Sequence, residues 1–189
     1  MGKGCLIVGI VILVLLVMVG GSIVSTYNSM VVQDENCEKA WGNVESVLQR
    51  RFDLIPNLVN TVKGYASHEK ELLVEVTELR SQWAKAQTTQ QKTQVASLLD
   101  NAMGRLMVSV ESYPDLKANQ NFLALQDELA GTENRISVER RRYNDAVMGY
   151  NMTIRRFPGS LMAGMFGFER RTPFEADQGA EKAPTVSFE

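Results

Sequence analysis

FLALQDELAGTENRISVERRRYNDAVMGYNMTIRRF, residues 122 to 157, is the stretch that decides the fold. Within it Phe122, Leu125, Leu129, Thr132, Ile136, Glu139, Tyr143, Ala146, Tyr150, Thr153 and Phe157 recur at alternating steps of three and four. That spacing is the seam of a helix packed in a bundle or coiled coil. No proline interrupts it, and no period-two alternation competes with it. The stretch predicts one long helix with a single apolar stripe, which needs partner helices to cover it.

Working outward, the partners are present. A second seam runs Leu58, Val62, Tyr65, Glu69, Leu72, Val76, Leu79, Trp83 and Ala86. Shorter ones read Cys37, Trp41, Val44, Leu48 and Val95, Leu98, Ala102, Leu106, Ser109, Tyr113. The breaks between seams are chemical. Pro56 lacks an N–H and disfavours helical geometry at Ile55, so it is expected to end one helix and open the next. The polar run Thr88–Thr93 offers caps, and Tyr113-Pro114-Asp115 reads as a stop followed by Asp115 as an N-cap. Phe157-Pro158-Gly159 ends the last helix. The expected helices are therefore 24–54, 56–86, 91–112 and 116–157, and short connections make neighbours antiparallel.

Upstream, CLIVGIVILVLLVMVGGSIV (Cys5–Val24) carries no charge. About 20 helical residues at 1.5 Å each span roughly 30 Å, the hydrocarbon thickness of a bilayer. The run is longer than the apolar core of a signal peptide, so an uncleaved anchor is favoured over a cleaved leader. Lys3 and the α-amine flank one side, and the first cation beyond the span is Lys39. Cationic flanks stay cytoplasmic, so the bundle is expected outside the cytoplasm. Cys5 and Cys37 lie on opposite sides of this run, which excludes a disulfide framework. No lipobox precedes Cys5 to mark it for acylation.

The fold class is thus all-α: an N-terminal transmembrane helix followed by a long antiparallel four-helix bundle. Residues 1–4 form a short flank, 5–24 the anchor, 25–157 the bundle, 158–171 a membrane-proximal interfacial segment and 172–189 a disordered tail. Antiparallel connectivity returns the end of the last helix to the bilayer surface. There FPGSLMAGMFGFERR (Phe157–Arg171) combines Met165, Phe166 and Phe168 with Arg170 and Arg171. Two readings stay open: an interfacial segment meeting anionic headgroups, with Tyr27 at the same level, or a cap on the bundle's open end.

Several long motifs resemble the LemA family of bacterial membrane proteins. They are Ala40-Trp41, RRFDLIPNLVNTVKGYASHE (Arg50–Glu69), ESYPDLKANQNFLALQDELAGTENRI (Glu111–Ile136) and RRYNDAVMGYN…FP (Arg141–Pro158). The resemblance covers the chain from the anchor to about Phe168. It implies a membrane helix followed by an antiparallel four-helix bundle, and the family includes a magnetosome-associated branch. It implies a place and a shape, and no activity.

The chemistry-bearing residues do not converge on a catalytic pattern. His68 is the one histidine, and position 72 is leucine where a zincin helix needs a second histidine. No metal-ligand spacing of His, Cys and carboxylates appears, and no phosphate loop, so no cofactor is expected. Glu69 and Glu139 fall on seam positions, where a carboxylate needs a partner such as Arg51, Arg140 or Lys63. The alternative, a divalent metal between inward carboxylates, lacks the histidines of the di-iron bundles. Arg51, Asp53, Pro56 and Asn57 sit at a bend: Asp53 reads as a cap and Arg51 as a partner for open carbonyls, or the corner is a docking surface. Tyr27-Asn28, Tyr143-Asn144 and Tyr150-Asn151 repeat one dipeptide, with tyrosines suited to the headgroup region and asparagines to fixing helix register.

A net charge of −2 with both signs interspersed excludes a nucleic-acid partner. The expected function is a non-enzymatic, membrane-anchored scaffold or adaptor at the bacterial inner membrane. It self-associates and presents a helical surface to protein partners, and membrane lipids are further partners. The alternative is a membrane-shaping structural protein acting through the interfacial segment, and an enzyme or metal-binding protein is the third reading.

Overall fold

The computed structural model describes residues 2–66 and 69–174. Among them the chain forms helices and no strand: α1 (Gly2–Lys63), α2 (Lys70–Lys85), α3 (Thr89–Val110), α4 (Pro114–Lys117), α5 (Gln120–Arg155) and α6 (Gly159–Phe166). His68 and nearly all of the expected tail, from residue 175, lie outside the described residues.

Helix α1 joins the anchor to the packed part without a break. From Leu6 to Val19 its large apolar side chains are exposed. In water that would be costly, and in a bilayer it is the requirement for a transmembrane helix. Beyond the span one face goes under cover: Met30, Cys37, Val44, Leu48, Phe52, Ile55, Leu58 and Val62 are buried. This stripe keeps its phase through Pro56, where local chemistry alone predicts a break. A proline in a helix interior costs about 3 kcal/mol. Burying Ile55, Leu58 and Val62 stabilises by about 1.5–3 kcal/mol each, so continuity wins. Pro56 is exposed, which puts the unmade hydrogen bond on the outward face. The helix ends instead after Lys63, where Ala66 N–H returns to the Val62 carbonyl (2.9 Å).

The chain divides into two compact units, Met1–Ala40 with Arg142–Pro173 and Trp41–Arg141 with Phe174–Glu189. In the second unit, Lys92 pairs with Glu45 and Asp100 with Arg51, so α3 runs in the direction of α1. Trp83, near the end of α2, donates to Gln49 (2.7 Å), and Asn119, just before α5, donates to Tyr65 (2.8 Å). Helices α2 and α5 therefore run against α1. This up-down-up-down order is the expected antiparallel four-helix arrangement. Thr88 begins α3 with a reciprocal capping box to Gln91.

Helix α5 starts differently from the expectation. Pro114 opens the one-turn helix α4, whose Leu116 is buried. The cap of α5 is then Asn119, not Asp115: its Oδ1 accepts from the N–H groups of Asn121 (2.9 Å) and Phe122 (3.1 Å). Phe122, Leu129, Thr132, Ile136, Tyr143 and Tyr150 of the expected seam are buried, and Thr132 satisfies its hydroxyl on the Glu128 and Leu129 carbonyls. Further along, Val147 and Ile154 replace Ala146 and Thr153. A 3.6-residue turn drifts from a strict 3.5-residue repeat, and the stripe moves by one position. Leu73 and Leu99 are buried where Leu72 and Leu98 were expected, while Val76, Leu79, Trp83, Val95, Ala102 and Leu106 are buried as expected.

In the first unit α5 returns along α1, with the Thr153 hydroxyl donating to Gln33 Oε1 (2.9 Å). Gly159 opens α6 at a point of close approach. A Cβ there would run into the Thr153 carbonyl and come within 2.9 Å of Met30 Cε. Gly167 (φ 75°) then turns the chain back, with Phe168 N–H donating to the Ala163 carbonyl (3.0 Å).

Candidate functional site

In the second unit a charged cluster crosses the core. Arg51 from α1 is almost fully buried and holds Asp100 from α3 and Glu133 from α5, the latter at 2.6 Å. The other oxygen of Asp100 accepts from Arg140 of α5 (2.8 Å), and the Arg140 guanidinium lies 4.2 Å from the Phe174 ring centroid. Arg51 and Arg140 thus neutralise carboxylates as the sequence led one to expect, but the carboxylates are Asp100 and Glu133. Glu69, before α2, accepts the Tyr113 hydroxyl (3.3 Å), and Glu139 is half-buried on α5. Among the described residues no group of three or more His, Cys, Asp and Glu side chains is placed to hold a metal ion.

The expected corner is not a bend. Asp53 is exposed and accepts from Gln49 Nε2 (2.9 Å) in place of capping a helix, and Asn57 receives the Thr61 hydroxyl on its carbonyl (2.8 Å). Gln49 in turn accepts from the Trp83 indole, whose ring stacks on Phe52 with centroids 4.6 Å apart. Beside this corner an open groove of about 610 Å³ runs between α1 and α5. Ser46, Val47, Gln49, Arg50, Asp53, Leu54, Glu128 and Arg135 line it, and the Arg50–Glu128 ion pair (2.7 Å) crosses it.

In the first unit α5 grips the segment after α6. Tyr150 Oη donates to the Glu169 carbonyl (2.8 Å) and Tyr143 Oη to the Thr172 carbonyl (3.1 Å). Asn151 bonds both ways with the Arg171 backbone: Nδ2 to the carbonyl (2.8 Å) and N–H to Oδ1 (3.1 Å). Asn144, two turns earlier, is half-buried. Both tyrosine side chains are buried, so neither offers its ring to lipid. Burial pushes the Tyr143 and Tyr150 phenols above their ordinary range, and the nearby Arg171 pulls each partly back. Burial likewise raises the Cys37 thiol against the pull of Arg171, which keeps it protonated and unreactive.

Arg171 faces inward. Its Nε meets Asp34 (2.6 Å) and its terminal nitrogen Glu38 (2.9 Å), and the Asp34 hydrogen bond foremost holds its charge in place. It is therefore committed to carboxylates of its own chain and not to lipid phosphates; Arg170 is exposed. Thr172, Pro173 and Phe174, expected in a disordered tail, are ordered, and Phe174 is buried. Sequence reading missed Asp34, Glu38, Asp100 and Glu133. Their one signal was the i, i+4 spacing of Asp34 and Glu38 beside seam residue Cys37.

Tyr27 packs edge-on against Phe166 (4.9 Å between centroids) and Phe168 (5.8 Å). Met162 is buried and Phe168 half-buried, as a cap requires. Phe157, Leu161, Met165 and Phe166 remain 81, 62, 77 and 53% exposed. The segment caps with one face and leaves the other uncovered.

An N-terminal apolar helix long enough to cross a bilayer, continuous with packed antiparallel helices, is the pattern of a membrane-associated helical protein. The model of the LemA family matches residues 40–188, and the chain belongs to that family. It is similar to magnetosome protein MamQ 2 of Paramagnetospirillum magneticum, with 26% identity over 187 residues, covering 85% of this chain and 68% of that protein. Magnetosome protein MamQ of Magnetospirillum gryphiswaldense is 26% identical over 170 residues, covering 76% and 62%. Protein LemA of Metamycoplasma hominis is 24% identical over 152 residues, covering 80% and 69%.

Proposed function

We propose that the chain is a membrane-anchored scaffold that self-associates and presents the helical surface of its second unit to protein partners at the bacterial inner membrane. The observation that carries this reading is the groove between α1 and α5. It is open, built on rigid helices, and offers cations (Arg50, Arg135) beside carboxylates (Asp53, Glu128) around an apolar strip at Val47 and Leu54. Such a surface suits a helical segment with charges of both signs. A photo-crosslinking residue at Val47 or Arg135 should give discrete adducts in native membranes, including one at twice the chain mass. The same residue at exposed Gln90 should give none. Efficient incorporation without groove adducts defeats the reading.

The helical units are assigned to the extracytoplasmic side, on Lys3 and the lack of a cation between Val24 and Lys39. A Gln90→Cys variant should react with an impermeant thiol reagent in cells whose outer membrane alone is permeabilised, while the parent chain does not. Labelling only after lysis reverses the orientation. A second reading, a membrane-shaping protein, is favoured by the uncovered side chains of α6. Vesicles that tubulate when loaded with the full chain support it, and crosslinked oligomers in spherical vesicles support the scaffold.

A further inference from the structure

We propose that α6 is a lipid-binding element, which seats the edge formed by Phe157, Leu161, Met165 and Phe166 in the interface of the leaflet from which α1 emerges, with Arg155, Arg156 and Arg170 on anionic headgroups. This gives the second reading its lipid partner and does not depend on the scaffold reading.

Phe157, Leu161 and Met165 stand four apart, bracketing the start of α6, and are 81, 62 and 77% exposed. The buried Gly159, Met162 and Ala163 of the same segment take up its inward face, so the outward side chains are not held in reserve for the core. The height of α6 is fixed by Tyr27. That residue lies three positions beyond Val24, the end of the uncharged run, which on a helix is about 4.5 Å. Headgroups begin at that depth, and tyrosine favours it. The Phe166 ring lies 4.9 Å from the Tyr27 ring, so α6 sits at the same level. The uncovered edge thus lies beside the exposed apolar surface of α1.

Charge supports the same occupant. Arg155, Arg156 and Arg170 are exposed, and of the carboxylates of this unit Asp34 and Glu38 are taken by Arg171, while Glu35 and Glu169 are exposed. Arginines at headgroup level are drawn to anionic lipids, each worth more at the surface than in bulk. A second copy on this edge would need an apolar partner face and would gain nothing from three like charges.

The test uses the full chain in vesicles containing a phospholipid with a photoreactive acyl chain, of phosphatidylcholine alone or with added phosphatidylglycerol. Trypsin releases α6 as the peptide Phe157–Arg170 and a control peptide Thr93–Arg105 carrying exposed Leu98. The α6 peptide should carry acyl-chain label several-fold above the control, and more in anionic vesicles. Phe157→Ser with Leu161→Ser and Met165→Ser should bring it to control level with helicity unchanged, since these side chains lie outside the core. Arg155→Gln with Arg156→Gln and Arg170→Gln, in which trypsin releases α6 within the peptide Tyr143–Arg171, should remove the anionic preference of the label on that peptide. Label confined to the anchor peptide overturns the proposal. So does α6 label that appears only on diluting the protein in the bilayer, since a second copy then covers the edge. Equal labelling in both vesicle types overturns the part assigned to the arginines. Groove adducts at Val47 report on the scaffold reading independently of all these outcomes.

Discussion

Arg171 Nε lies 2.6 Å from Asp34 Oδ1 across 137 positions of sequence, and the same guanidinium reaches Glu38 at 2.9 Å. With Asn151 clamping the Arg171 backbone, the segment after α6 is tied to α1 and α5 at one residue. Arg171→Gln should free it. Hydrogen exchange of the amides from Glu169 to Phe174 should quicken, with global stability falling by about 1–2 kcal/mol. Asp34→Asn should have a larger effect than Glu38→Gln, because Glu38 is the more exposed partner. Equal effects, or unchanged exchange, would show that the ion pairs do not hold the segment.

The buried tyrosines make stability fall in alkali. The folded pKa of Tyr143 and Tyr150 is raised by burial, so between the unfolded and folded values the native state holds more protons. Their contribution is fully present below the unfolded pKa of about 10 and is lost as pH rises through the folded value. Denaturant unfolding of the full chain in detergent should show a stability decline setting in above about pH 10. Tyr150→Phe should make that decline shallower, at a cost near neutrality of about 0.5–1.5 kcal/mol for the lost bond to the Glu169 carbonyl. An unchanged alkaline slope in the variant sinks the account.

Leu129 sits on the α5 seam and is buried. Leu129→Ala should destabilise by about 2–5 kcal/mol, the range for a truncated core leucine. Phe157→Ser, at an exposed position, should leave the same unfolding curve within about 0.5 kcal/mol. A small loss at Leu129 would mean that the seam is not packed as described.

Arg51 offers a different kind of loss. Arg51→Ala leaves Glu133 half-exposed and Asp100 with Arg140, so the cost should be near the low end for breaking a buried pair, about 3 kcal/mol. A double-mutant cycle with Asp100→Asn should show coupling above about 1 kcal/mol, since the residues touch. Additive losses would assign Arg51 to packing and not to charge pairing.

Much of this architecture was legible in the sequence. The uncharged run from Cys5 to Val24 determined an apolar helix long enough to cross a bilayer, because burying charge in hydrocarbon is costly while length is set by bilayer thickness. The seam from Phe122 to Tyr150 determined a long helix with one covered face, because a period near 3.5 fixes which side chains share a side. Stops were harder to read. Pro56 is a strong local signal, yet the burial of its neighbours on both sides outweighs it, and the turn falls after Lys63 without a proline.

Only the tertiary structure decided which charges pair. Local periodicity puts Glu139 on an inward face and offers Arg51 as a partner for a carboxylate, but it carries no information on the height at which α3 and α5 pass α1; that height selected Asp100 and Glu133 for Arg51. The same holds for Arg171, which local composition offers to lipid and the return of the chain at Gly167 delivers to Asp34. It also holds for α6, whose apolar residues look alike in sequence while contact with Met30 and Tyr27 divides them into a covered face and an open one. Periodicity is a property of one helix and is written in neighbouring residues. Partner choice depends on distances between helices, which the packing of the whole core sets.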